Sequence, residues 1–225
     1  ILSGNSFIFV LLNKAEKYVF SSSYMELVQS LPSPLWLRST LSVCIFFLIT
    51  SVVYEKYHYY AYRVLKERGF PAYLPHYRRK VNRLLFRLVN YFRPKSLIEV
   101  GIGNGASIGY MRAACHTMDS ITLKGRDWTK TSRQLEEKLS EVHTLDCLHI
   151  GHTPFYKEVF ELVLPYAGPR SCFIVGGIHE SREKRKWWEQ IVTSESTGIT
   201  FDLYDIGLVF FDKARYKQHY IVNFL

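Results

Sequence analysis

Cysteine is scarce in this 225-residue chain: Cys44, Cys115, Cys147 and Cys172 stand singly, with no C-x-x-C pair and no regular spacing. The pattern argues against a disulfide framework and against zinc, and the four read as buried free thiols of a reducing compartment. Glycine (13) and proline (8) are too few for collagen or low-complexity sequence. A membrane-spanning helix needs about 20 apolar residues, whereas the charge-free stretch LSVCIFFLITSVV covers only 41–53, after Arg38 and before Glu55-Lys56. It reads as a buried helix or as a peripheral membrane contact. There is neither an initiator Met nor a basic segment leading to a small-residue cleavage site, so the chain reads as part of a longer, cytoplasmic sequence, membrane-associated if 41–53 touches lipid.

What is present suits one substantial core. Hydrophobic residues make up 48% of the chain, aromatics 16% and charged residues 22%, which excludes disorder and fits one large domain, alone or with a small appendage. Lys+Arg exceed Asp+Glu by 29 − 20 = 9, and the excess is local. Between Glu55 and Lys95 there are 11 basic residues against two acids, 11 − 2 = +9, so the remainder balances at 18 against 18. A concentration of this kind points to an anionic partner, nucleic acid or anionic lipid, or to a protein partner; the alternative is the solvated face of helices. Tyrosines 54, 57, 59, 60, 62, 73 and 77 interleave with these cations, a composition suited to base stacking, to a membrane interface or to helix packing.

Residues 1–95 read as a helical N-terminal region and residues 96–225 as a second domain, the change falling at Pro94. Ser33-Pro34 opens a helix that can run from Leu35 towards Arg68, where Gly69-Phe70-Pro71 stops it. A second helix starts near His76. Its apolar residues Val81, Leu84, Leu85, Leu88, Val89 and Phe92 form one face of a 3.6-residue period, with Arg83 and Arg87 at the edges. Beyond Pro94, strands at 96–100, 120–123, 145–150 and 171–175 alternate with helices at 106–116, 129–141, 154–164 and 180–192. Three closing β segments follow, at 199–204, 208–211 and 219–224. Such alternation predicts a mostly parallel sheet with helices on both faces and the 96–100 strand at its centre. Only Asp212–Gln218 separate the last two segments, too few for a parallel crossover, so they are expected to pair as an antiparallel hairpin. Trp187 and Trp188 read as core, and Ser181–Lys186 as a solvated helix start.

The sharpest motif is Glu99-Val100-Gly101-Ile102-Gly103-Asn104-Gly105, after a strand and before a helix. Glycines there permit a tight turn and close approach of a ligand, and the helix from Ala106 offers free N–H groups. The alternative is a tight strand–helix connection without a ligand. The spacing is not G-x-G-x-x-G, since position 106 is Ala and the acid precedes the glycines.

An acid followed by G-x-G-x-G resembles the first motif of Rossmann-like, class I S-adenosylmethionine-dependent methyltransferases. The run Arg83–Lys95 leading into it resembles the corresponding helix of Bacteroidetes-type members, as do Ile178-His179-Glu180-Ser181 and the ending Phe201–Phe211. The resemblance spans about 80–225. It implies a methyltransferase sheet ending in an antiparallel hairpin, with S-adenosylmethionine on Glu99, Gly101, Gly103, Asn104 and Gly105.

Three departures from the family's pattern bear on catalysis. The second strand runs into Lys124-Gly125-Arg126 where relatives carry an acid for the ribose hydroxyls, and lysine only donates; Asp127 takes that place if the loop bends. Only Val142-His143-Thr144 separate a helix from the strand at 145, so one edge strand, with its adenine-covering loop, is expected to be missing. The strand ends Ile150-Gly151-His152 and Val175-Gly176-Gly177 lack the carboxylates that bind a divalent cation in metal-dependent relatives, so no metal is expected. His152 and His179 remain as candidate general bases at the ends of adjacent strands, or as histidines satisfied by local backbone.

The sequence thus carries two expectations. One is methyl transfer from S-adenosylmethionine to an unknown acceptor. The other is a catalytically degenerate methyltransferase fold, with weakened cofactor binding, that serves as a binding or structural module through its basic segment 55–95.

Overall fold

The computed structural model describes Ile45, residues 48–214 and residues 216–223. Tyr57–Leu225 cluster as one unit, distinct from the residues up to Lys56, so the helices described below between 60 and 92 share a unit with the sheet. In the first unit Ile49–Val53 form a π-helical turn, closed by Tyr54 N donating to Ile49 O, and Val52 and Val53 are buried. The rest of the 41–53 stretch, apart from Ile45 and Leu48, lies outside the described residues, as do Cys44 and the helix start at Ser33-Pro34. Among the described residues no helix is long and apolar enough to cross a membrane.

Helix α1 spans Tyr60–Arg68 and ends at Gly69, whose φ of 68° stops it where the Gly-Phe-Pro signal predicts. The long helix expected from Leu35 does not run through to it. Residues 55–59 are not helical, and Tyr59 is extended (φ −64°, ψ 139°), its ring 4.8 Å from those of Tyr57 and Phe86 and 5.4 Å from that of Tyr62. Aromatic packing holds the chain out of the helix there. Helix α2, Arg79–Phe92, buries Val81, Leu84, Leu85, Leu88 and Val89 almost completely. Arg87, expected at its solvated edge, is buried as well, and the Arg83 guanidinium lies 5.0 Å over the Tyr62 ring.

The remaining elements are β1 (Ser96–Val100), α3 (Ala106–Ala114), β2 (Asp119–Leu123), α4 (Trp128–Ser140), β3 (Leu145–Ile150), α5 (Tyr156–Val163), β4 (Ala167–Gly176), α6 (Arg182–Thr193), β5 (Ile199–Asp202), β6 (Ile206–Phe210) and β7 (Gln218–Ile221). Seven strands form one sheet in the order β2-β1-β3-β4-β6-β5-β7. The first four are parallel, and β6 runs antiparallel to both β4 and β5. Strand β1 is interior, as predicted, and β2 is an edge because the chain passes from α4 to β3 without another strand.

The end of the chain departs from expectation. Strand β7 does not pair with β6; it adds to the outer edge of β5, parallel to it. The cause is that β6 is already bonded on both sides, by β4 and β5, and has no free edge to offer. The antiparallel hairpin is instead β5–β6, closed at its base by Gly198 N donating to Phe210 O.

Alternation along the strands sorts the two faces. Ile98, Val100, Leu148, Ile150, Phe173 and Val175 join Leu135, Leu139, Phe160, Trp187 and Trp188 in one core beneath α4, α5 and α6. Glu99 and His149, opposite each other in the β1–β3 register, face the other way, where Ser107 of α3 meets Glu99. Cys147 and Cys172 are buried thiols, the first pushed up to about 12 by burial; Cys115 is half-buried. Trp188 lies flat enough on β6 that a Cβ at Gly207 would sit 2.5 Å from its Cη2. We therefore expect Gly207→Ala to overpack this contact and destabilise the protein by about 1–3 kcal/mol in denaturant unfolding; an unchanged midpoint would contradict the packing.

Candidate active site

The turn after β1 is held by its own backbone. Gly101 N donates to Leu123 O, Ile102 N to His152 O and Asn104 N to Pro75 O, which ties it to the ends of β2 and β3 and to the segment before α2. Asn104 Oδ1 accepts from Ala106 N at the start of α3, while Gly105, the N-cap residue, takes the left-handed φ of 82°. These bonds leave the N–H groups of Gly103 and Gly105 without a partner among the described residues. They border a cavity of about 310 Å³ lined by Glu99, the turn 101–105, Ser107, Thr122, Lys124, Arg126, Gly151 and His152, with Leu74 at its rim.

Glu99 lines this cavity with its carboxylate engaged by three side chains. Its Oε1 accepts from Ser107 Oγ at 2.5 Å and bonds His149 Nδ1 at 2.9 Å, and its Oε2 accepts from Thr122 at 3.5 Å. Burial alone would raise its pKa, but His149, Ser107 and Thr122 together hold the carboxyl below the usual range. His149 is fully buried, and its Nε2 shares a 3.3 Å hydrogen bond with the Tyr77 hydroxyl. Burial, reinforced by the Glu99 charge, raises the Tyr77 pKa, so the phenol stays protonated. The hydroxyl lies over the end of β4, where a Cβ at Gly176 would be 1.7 Å from it. Any side chain at 176 is therefore incompatible with this position of Tyr77, and that includes a metal-ligating carboxylate. Among the described residues no group of three or more His, Cys, Asp or Glu is placed to hold a metal ion.

The loop after β2 projects cations into the same cavity. Arg126 N donates to Lys124 O, Thr131 Oγ1 to Lys124 O and Thr153 Oγ1 to Gly125 O, so its backbone is braced from α4 and from the end of β3. Asp127, the candidate for the ribose hydroxyls, lies outside the cavity lining and accepts from Lys130 N at 3.1 Å, as the N-cap of α4.

His152 and His179 converge on a second cavity, of about 260 Å³, lined by Tyr77, Arg78, Val81, Gly177, Glu180, Tyr204 and Asp205 as well. His152 borders both cavities. Its Nε2 is buried without a hydrogen-bond partner and its Nδ1 is 4.0 Å from Glu180 Oε1. Burial pulls its pKa below 6.5, with Glu180 partly offsetting this. His179 Nε2 bonds Asp202 Oδ2 at 2.7 Å, and its ring stacks on Tyr204 at 5.1 Å; Asp202 Oδ1 also accepts from Tyr204 N. The alternative of histidines satisfied by backbone thus fails for both. Lys184, expected in a solvated helix start, is instead buried, 3.5 Å from Glu180 and over the Tyr156 ring. Of the basic segment, Arg78 is spent on Asp205 (2.5 Å), Arg83 on Tyr62 and Arg87 on the interior.

His149, Tyr77 and Asp202 escaped the sequence reading. Their signal was a polar residue in an otherwise apolar strand, His149 in LDCLHI and Asp202 closing ITFD; Tyr77 had none.

Two outcomes follow from these environments. A carboxyl held low in the folded state contributes stability that is full above its unfolded pKa of 4.5 and is lost as pH falls through the folded value. Glu99→Gln should cost about 1–3 kcal/mol at neutral pH and flatten the acid limb of unfolding free energy against pH; an unaltered limb would contradict it. For His152, an NMR titration of its ring protons should show a midpoint below 6.5, lowered further by Glu180→Gln; a midpoint above 6.5 would refute the assigned environment.

No family model and no curated protein matches the sequence. Solved structures do match the fold. A Klebsiella pneumoniae protein classed as an O-methyltransferase aligns over 74% of this chain and 94% of its own, with 15% identity and a TM-score of 0.51. A methyltransferase from Geobacter sulfurreducens (15% identity, 68% and 87%, TM-score 0.49) and the Streptomyces achromogenes O-methyltransferase TomG (15%, 76% and 96%, 0.45) align less well. With the strand order above, the first of these assigns the chain a Rossmann-like methyltransferase fold.

Proposed function

We propose that the protein transfers a methyl group from S-adenosylmethionine to an acceptor hydroxyl bound in the second cavity. The observation that carries this reading is His152, a half-buried histidine with an unpartnered ring nitrogen that borders both the glycine-turn cavity and the second cavity, which His179 and its partner Asp202 flank. The name of the Klebsiella neighbour, an O-methyltransferase, agrees with an oxygen acceptor.

Gly101–Gly105 and Ser107 would hold the methionine and ribose portion against the start of α3, where unpartnered N–H groups favour a carboxylate. When bound, the cofactor supplies a sulfonium methyl that the acceptor oxygen attacks in line, the electrons of the broken C–S bond leaving with sulfur. His152, whose pKa burial lowers, takes the acceptor's proton on its imidazole as the O–C bond forms. His179, fixed by Asp202 and stacked on Tyr204, orients the acceptor in the second cavity. Positioning of this kind supplies most of the rate in such a transfer.

Calorimetric titration with S-adenosylmethionine and S-adenosylhomocysteine tests the reading. Both should bind, and Lys124→Glu should tighten them about ten- to a hundredfold by restoring an acceptor for the ribose hydroxyls. Absence of binding by the unaltered protein and by Lys124→Glu alike would overturn it.

A further inference from the structure

We infer that the glycine-turn cavity takes a second class of ligand, an adenosine nucleotide carrying a phosphate on its ribose, with Lys124 and Arg126 holding that phosphate. The inference rests on the nucleoside-binding part of the reading above and not on methyl transfer.

Position is the first ground. Lys124 stands directly after β2, 23 positions beyond Gly101 (124 − 101), and both it and Arg126 line the cavity. In the related dinucleotide-binding sheets the residue about 20 positions past the glycines meets the ribose: a carboxylate there accepts from the hydroxyls, whereas a nearby arginine accommodates a 2′-phosphate. The second ground is the balance of charge. Asp127, the nearest carboxylate in sequence, is turned away to cap α4. Glu99, the sole carboxylate among the lining residues, is engaged by His149, Ser107 and Thr122. What remains open to a ligand is a pair of exposed cations with eight donor hydrogens and no acceptor. Ribose hydroxyls gain little from such a pair. A phosphate ester, dianionic and purely accepting, is its complement.

The third ground is rigidity. Three hydrogen bonds, from Arg126 N and Thr131 to Lys124 O and from Thr153 to Gly125 O, fix the loop backbone. A Cβ at Gly125 would lie 2.6 Å from Thr153 Oγ1, so the loop is packed down at its middle and the two side chains leave from a fixed base. The cations are thus presented by a braced loop, which limits the entropy lost on binding.

Calorimetric titrations with adenosine 2′-monophosphate, adenosine 5′-monophosphate, adenosine, inorganic phosphate and S-adenosylhomocysteine decide it. Adenosine 2′-monophosphate should bind at least about tenfold more tightly than adenosine at low salt. The margin should shrink as salt rises and vanish in Lys124→Glu/Arg126→Glu, whose exposed changes leave the circular dichroism spectrum intact. Equal affinity for adenosine and its 2′-phosphate, or a margin that survives the double variant, would overturn the inference. So would an equal gain from the 5′-phosphate, which places the anion elsewhere, or binding of inorganic phosphate as tight as that of the nucleotide. S-adenosylhomocysteine binding without any phosphate margin would remove this inference and leave methyl transfer standing, whereas failure of every ligand would remove both.

Discussion

The carboxylate of Glu99 is buried at the end of β1, and a buried charge costs several kcal/mol unless hydrogen bonds satisfy it. Ser107 of α3, His149 of β3 and Thr122 of β2 supply those bonds, so two neighbouring strands and a helix must keep their register for the charge to be tolerated. His149 passes the constraint on: its second nitrogen bonds the Tyr77 hydroxyl, and Tyr77 lies over Gly176 at the end of β4. One chain of polar contacts thus runs from the glycine-turn cavity across β1, β3 and β4 to the second cavity.

The electrostatics of the two cavities differ for the same reason. Around the glycine turn the acid is consumed internally and the exposed charges are Lys124 and Arg126. Around the second cavity the polar groups come in pairs, His179 hydrogen-bonded to Asp202, Arg78 with Asp205 and Lys184 with Glu180. The Arg78 pair is half in water and contributes little to stability; its effect is to hold the segment between α1 and α2 against the loop after β5. The His179 pair is mostly buried, and there the carboxylate fixes which ring nitrogen faces the cavity.

Much of the sheet was legible because strands such as SLIEV and LDCLHI are short apolar runs bounded by turn signals, and because the amphipathic periods of α2 and α4 are strong. That no strand comes between α4 and β3 was legible too, because only residues 141–144 separate them. The pairing of β7 was not, since sequence spacing says how far the chain can travel but not that β6 is already flanked on both sides. The break before α1 was hidden for a related reason: propensity runs on through Tyr57–Tyr59, and tertiary aromatic packing decides against the helix. The glycine turn and the two histidines, singled out in the sequence, line the two cavities. Asp202, His149 and Tyr77 were not legible, because their roles depend on which strands become neighbours.

The central claim is that the turn 101–105 and the loop 124–126 together form a nucleoside site beside a second cavity. A crystal structure grown with S-adenosylhomocysteine tests it most directly. The account predicts the homocysteine portion against the turn, the ribose beside Lys124 and the sulfur pointing towards His152. Ligand bound elsewhere, in the groove between α1 and α3 for example, or density absent from the cavity at saturating ligand, would contradict it.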